Sequence, residues 1–330
     1  MSIEPAVLVE GLRKAYGDHL VLRGVDLVVP PGTIHALLGP NGSGKTTIVT
    51  ILATLIRPDA GVARVAGHDV LADPEAVRRA IGVTGQFSAV DALLTGRENL
   101  QLMADLHHLR RDQARGRIEE LLETFELTEA AGRIPATYSG GMRRRLDLAM
   151  TLVGRPRVIF LDAPSTGLDP RGRRDLWRIV RDLTRDGVTI FLTTQYLEEA
   201  DQLADRIAVL DDGRIIAQGS AAELKRLVPG GHLELQFAAA DALRAARGVL
   251  ADTHDPADRP ADDDPCVDRT LRVPWDGDLR VVAETVNTLQ RRGIPVAELS
   301  LRTPDLDDVF LALTGRRTSV EPDRREGVAP

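Results

Sequence analysis

The chain has 330 residues, 43% hydrophobic and 28% charged, the composition of an ordinary globular protein, which excludes a fibrous or disordered one. Its single cysteine, Cys266, rules out an intramolecular disulfide and fits a reducing compartment. The net charge of -7 argues against broad electrostatic binding to nucleic acid, no apolar run approaches the roughly 20 residues of a bilayer span, and Met1 to Pro5 lacks the basic start of a signal peptide.

At roughly 100 to 200 residues per domain the length predicts two domains. Ala6 to Val9, Leu20 to Val29 and Ile34 to Leu38 are short apolar runs set between turns and read as strands. Thr46 to Leu55 suits a helix closed by Pro58-Asp59, and residues 97 to 131 carry charged, helix-favouring periodicity, a helical insertion. Val158 to Leu161 reads as a buried strand, Asp175 to Thr184 as a helix, and Thr189 to Leu192 and Ile207 to Leu210 as further strands. This alternation predicts an α/β core with a largely parallel sheet. After Gly219 the composition shifts and Pro229-Gly230-Gly231 marks a linker. Beyond it, His232 to Phe237, Leu271 to Trp275 and Val296 to Leu301 read as strands, and Ala239 to Leu250, the stripe from Leu279 to Leu289, and Leu306 to Leu313 as helices.

One of only three lysines, Lys45, stands in Gly39-Pro40-Asn41-Gly42-Ser43-Gly44-Lys45-Thr46, which fits G-x-x-x-x-G-K-[ST] between an apolar strand and a helix. Glycines let backbone N–H groups curl around a phosphate, the helix start adds partial positive charge, Lys45 reaches the outer phosphates and the Thr46 hydroxyl binds Mg²⁺. Val158 to Leu161 ends in Asp162, a carboxylate placed to hold Mg²⁺ opposite such a loop. Between them Tyr138-Ser139-Gly140-Gly141-Met142 opens a helical stretch. Its N–H groups and the Ser139 hydroxyl offer a second anion cradle, although the isolated tripeptide reads first as a helix cap.

Taken in order, these motifs resemble the ATP-binding subunit of ABC transporters over at least residues 6 to 220. Tyr138 to Met142 matches the signature motif, Asp162 the Walker B aspartate, and Gly167-Leu168-Asp169 the D-loop. YSGGMRRRLDLA, LTTQYLEEADQLADRIAVLDDGR and LDDVFLALTG look most like the daunorubicin-resistance type of drug exporter ATPase, a likeness that reaches about residue 314. The resemblance implies that Tyr16 stacks on adenine, that Gln86 of the Q-loop touches Mg²⁺ and the attacking water, and that Thr47 joins Gly39, Asn41, Gly42, Gly44, Lys45 and Thr46 on ATP. It also implies a head-to-tail homodimer in which Ser139, Gly140 and Gly141 of one copy close on the ATP of the other. A separate membrane permease at the cytoplasmic face of the cell membrane would export an amphiphilic drug or metabolite. The expected fold is a P-loop NTPase ABC cassette over 1–220 with a helical subdomain at about 88–155, a linker at 221–231, a small α/β regulatory or dimerisation domain over 232–315 and a disordered tail over 316–330.

Two positions depart from the family pattern. Ala163 stands where the family has its catalytic glutamate, and a methyl group accepts no proton. Gln195 stands at the switch histidine. Losing a general base costs about 10²- to 10⁴-fold in rate, so hydrolysis is expected to be impaired while nucleotide binding persists. Ala163 reads either as a substitution introduced to trap ATP or as the mark of a naturally slow ATPase. Alternatives to the transport motor are a soluble ABC-type switch and a regulatory module that closes on ATP without turnover. Arg143, Arg144 and Arg145 are expected on a solvated face of the signature helix, Asp262 to Asp264 in a solvated loop, and the His107-His108 pair lacks zinc-ligand spacing.

Overall fold

Alternation at the start of the chain builds an antiparallel sheet. Val7, Val9 and Leu12 of β1 (Val7–Tyr16) are fully buried, while Glu10 and Gly11 sit outside at a bulge. β2 (His19–Val29), β4 (Ala60–Val65) and β5 (His68–Asp69) complete a four-stranded sheet of order β2-β1-β4-β5. The computed structural model describes residues 4–85, 89–228, 231–251, 269–275, 278–302 and 304–315. Gln86, Pro229-Gly230, the Asp262–Asp264 stretch, Cys266 and the tail from 316 lie outside these residues.

The second sheet has the order β10-β9-β3-β8-β7-β6, from β3 (Ile34–Leu38), β6 (Ile81–Thr84), β7 (Val158–Asp162), β8 (Thr189–Thr194), β9 (Arg206–Asp211) and β10 (Arg214–Gly219). Neighbours from β9 to β6 run parallel and only β10 is antiparallel. Every residue of β3, β7 and β8 is buried, as unbroken apolar runs require when helices cover both faces. One core joins the two sheets to helix α1 (Lys45–Leu52), with Val7, Leu12, Ile48, Leu52, Phe160 and Phe191 among its members. Phe160 meets Phe191 edge to face at a centroid distance of 5.7 Å. Helix α1 ends at Leu52, short of the expected Leu55, because Thr54 turns to φ 63 and the Ala53 and Thr54 N–H groups bond back to Val49 and Ile51. Helix α2 (Pro74–Ala80) leads into β6.

The helical insertion contains α3 (Gly96–Leu106), α4 (Arg111–Thr124) and α5 (Gly140–Thr151). A reciprocal cap between Thr95 and Glu98 starts α3, and His108 at φ 55 separates α3 from α4. Helix α6 (Pro170–Arg185) begins five residues before the expected Asp175, since Asp169 caps it by accepting from the Gly172 N–H at 2.6 Å and Pro170 fits its first turn. Helix α7 (Leu197–Leu203) follows β8.

The chain divides into two units, one ending at Ala221 and one beginning at Ala222. The stretch expected as a linker carries a short helix, α8 (Ala221–Lys225). Beyond it, β11 (Gly231–Gln236) lies antiparallel between β12 (Thr270–Trp275) and β13 (Glu298–Arg302). With α9 (Ala240–Ala251) and α10 (Leu279–Arg291) they enclose Leu233, Leu235, Phe237, Leu250, Val273 and Leu289 in a separate core. On the other face of β11, Glu234 holds Arg272 and Arg302 at 3.2 Å each. Helix α11 (Leu306–Thr314) ends the described chain. No helix among the described residues is long and apolar enough to cross a membrane.

Candidate active site

The loop from Gly39 to Gly44 links β3 to α1, so the fully buried strand aims it from the edge of the core. Gly44 sits at φ 109, and a Cβ there would come within 2.7 Å of the Leu22 side chain, so glycine is required on two counts. Helix α1 has no side-chain cap and no acidic residue in its first turn, which leaves its N–H groups and partial positive charge free for an anion. The Lys45 ammonium donates to the Gly39 and Pro40 carbonyls at 2.9 Å each, folding back over the loop. Burial lowers its pKa, and the Asp162 charge opposes that shift. The Ser43 hydroxyl is buried and has no hydrogen-bond partner among the described residues.

Thr46 and Asp162 meet across the loop, the hydroxyl donating to Oδ2 at 3.0 Å. Asp162 is 7% exposed, and its other oxygen accepts from the Thr193 hydroxyl at the end of β8. Two hard oxygen donors side by side at an anion-binding helix start fit Mg²⁺. Ala163 follows at φ 47, and its N–H is held by the Thr193 carbonyl at 3.1 Å and hydroxyl at 3.2 Å. Gln195 is half-buried just beyond β8, and Gly39 N–H donates to the Thr194 carbonyl at 3.3 Å, which brings the β8 end beside the loop. Gln86 lies outside the described residues. Tyr16 is 52% exposed at the end of β1.

Ser139 caps α5, its hydroxyl accepting from the Met142 N–H at 3.2 Å, with Gly140 exposed and Gly141 half-buried. Ser139, Gly140 and Gly141 share a cavity of about 450 Å³ with Gly167, Asp169 and Arg171, and no residue of the Gly39–Thr46 loop lines it. The three arginines do not form one solvated face. Arg143 is exposed, but Arg144 is half-buried, donates to the Pro164 carbonyl at 3.0 Å and pairs with buried Asp147 at 2.9 Å. Arg145 and Arg178 of α6 both bind Glu126, at 2.7 and 3.3 Å.

Sequence reasoning missed Asp147, Thr193 and Glu199. Glu199 lies on α7, 1% exposed, with the Trp177 indole N–H donating to it at 3.3 Å, and burial raises its pKa. The available signal was a carboxylate between the apolar positions Leu197, Ala200 and Leu203.

Residues 22–166 match the family model described as ABC transporter. The daunorubicin resistance ATP-binding protein DrrA3 of Streptomyces coeruleorubidus is 49% identical over 318 residues, covering 94% of this chain and 96% of its own length. The daunorubicin/doxorubicin resistance ATP-binding protein DrrA of Streptomyces peucetius is 45% identical over 335 residues, covering 100% of both. A solved structure of the ATP-binding subunit of an ABC transporter aligns with a TM-score of 0.61 at 28% identity, over 67% of this chain and 92% of that one. With relatives nearly half identical over almost their whole length, this chain belongs to the ABC transporter ATP-binding proteins.

Proposed function

We propose that the chain is the ATP-driven motor subunit of an exporter, closing as a homodimer on two MgATP and working through a separate membrane permease at the cytoplasmic face. The Thr46–Asp162 pair beneath the uncapped start of α1 carries this reading. There ATP's outer phosphates take the α1 N–H groups and Lys45, whose ammonium exchanges the Gly39 and Pro40 carbonyls for phosphate oxygens. Thr46, Asp162 and Gln86 would hold Mg²⁺, which neutralises phosphate charge when bound. Gly39, Asn41, Gly42, Gly44 and Thr47 complete the phosphate cradle, and Tyr16 takes the base.

The signature turn and the D-loop line a cavity that contains no phosphate-loop residue. This supports a site completed by Ser139, Gly140 and Gly141 of a second copy. The cargo is proposed from the names of the relatives, which are resistance proteins for daunorubicin and doxorubicin. Ala163 offers no proton acceptor, so hydrolysis is slow in this chain and the closed state is long-lived. Gln195 can hold the γ-phosphate through its amide but is no base.

Calorimetry and steady-state turnover test the assignment. Lys45→Ala should abolish MgATP binding, and unchanged affinity would remove Lys45 from the phosphate site. Ala163→Glu should raise turnover by about 10²-fold or more, and equal rates would mean that another group activates the water. The same Ala163 favours a second reading, an ATP-dependent binding module without transport. Turnover in Ala163→Glu that depends on the membrane partner decides for the motor.

A further inference from the structure

Tyr16 does not stand alone on the surface. The Lys14 ammonium lies 5.6 Å from the centroid of its ring, and that lysine side chain is only 15% exposed. Asp59, in the turn before β4, fixes it there, accepting from Lys14 Nζ at 2.7 Å and from the Ala15 N–H at 2.6 Å. The Asp59 N–H in turn donates to the Arg13 carbonyl at 2.9 Å. Three consecutive residues of β1, Arg13 to Ala15, are thus tied to one aspartate just before the tyrosine. The Lys14 hydrogen bond, joined by that of Ala15, holds the Asp59 carboxyl below the usual carboxylate range, so the anchor keeps its charge.

We propose that Lys14, pinned by Asp59, is a specificity-determining residue for the nucleotide: its ammonium backs one face of the Tyr16 ring and tunes the opposite face to stack on an electron-rich purine base. The inference rests on the reading of Tyr16 as the base-stacking residue. An aromatic ring is negative on both faces, and a cation over one face draws that density toward itself. The far face becomes less repulsive to the π-cloud of adenine. The half of Tyr16 that remains exposed supplies the surface for that contact. The tether adds preorganisation, because the ring's backbone is fixed before the base arrives and less ordering is left to binding. Selectivity follows from the same arrangement: the gain grows with the electron richness of the stacked base, so it favours adenine over a pyrimidine.

The test is calorimetric titration of the full chain with MgATP, MgUTP and magnesium tripolyphosphate, which has no base. Lys14→Met keeps the stem and removes the charge. It should weaken MgATP by about two- to fivefold, narrow the ATP to UTP ratio and leave tripolyphosphate unchanged, while Lys14→Arg should retain most of the affinity. Asp59→Asn should move in the same direction as Lys14→Met. If Tyr16→Leu weakens ATP and Lys14→Met does not, the lysine has no part in base recognition and the proposal is overturned. If Lys14→Met weakens tripolyphosphate as much as ATP, the effect lies in the phosphate site and the proposal is overturned as well. If Tyr16→Leu leaves ATP binding untouched, the base-stacking reading itself fails and takes this inference with it.

Discussion

His35 occupies the middle of β3 at 1% exposure, stacked on Phe191 with ring centroids 5.9 Å apart, and neither ring nitrogen has a hydrogen-bond partner among the described residues. Burial, helped by the nearby Arg206 charge, lowers its pKa from 6.5 to about 4. Because the folded pKa is depressed, the unfolded chain takes up the proton first on acidification. The stability present above pH 6.5 is therefore lost as the pH falls toward 4. At 1.36 kcal/mol per pH unit the loss is about 2 kcal/mol between pH 7 and pH 5. His35→Phe should remove this component. Urea unfolding followed by Trp177 fluorescence in a Trp275→Phe background checks it, and a profile as steep as that of the parent would place the acid sensitivity elsewhere.

Helix α5 is anchored by charge as much as by its apolar face. Asp147 accepts from Arg144 and also from the Ala89 N–H at 3.0 Å, while Arg144 reaches the Pro164 carbonyl, so a buried carboxylate and a half-buried guanidinium join three separated stretches of chain. Removing one partner strands the other charge, and Asp147→Ala should cost about 3 to 5 kcal/mol. An Arg144→Met, Asp147→Leu double variant should cost clearly less than that, since no unpaired charge remains. Thermal melts of the single and double variants decide. The same helix shows which features were legible. The Ser139 cap and the Gly39–Thr46 loop depend on neighbours within a few residues and can be read from spacing. The depth of Arg144 could not be, because Pro164 and Gly85 are 20 and 59 residues away. Likewise β7 and β8 announce themselves as unbroken apolar runs, whereas the antiparallel sheet depends on β4 returning beside β1, a pairing that alternation leaves open.

At the level of the whole chain, each unit has its own core, the first spanning both large sheets and the second built on β11, β12 and β13. The residues of the candidate site all precede Ala221. Truncation after Pro229 should therefore leave MgATP binding by the monomer within a few-fold of full length. We expect the second unit to sustain either the nucleotide-free dimer or the complex with the permease, a role that needs only contacts differing between open and closed states. Analytical ultracentrifugation with and without ATP, alongside pull-down of the permease, checks this. If both properties survive truncation, the second unit has no such role.

Thr193 has one further effect. Its hydroxyl steers Asp162, and its hydroxyl and carbonyl together clamp the backbone of residue 163 at a positive φ that costs energy for any side chain bearing a Cβ. The direction in which residue 163 projects is thus set by a neighbouring strand and not by its own side chain. Alanine, glutamine and glutamate seated there share one Cα–Cβ direction and differ in the side chain beyond it. A series of such replacements compares chemistry at constant geometry, and Thr193→Val, nearly the same shape without the hydroxyl, turns the aim itself into the variable.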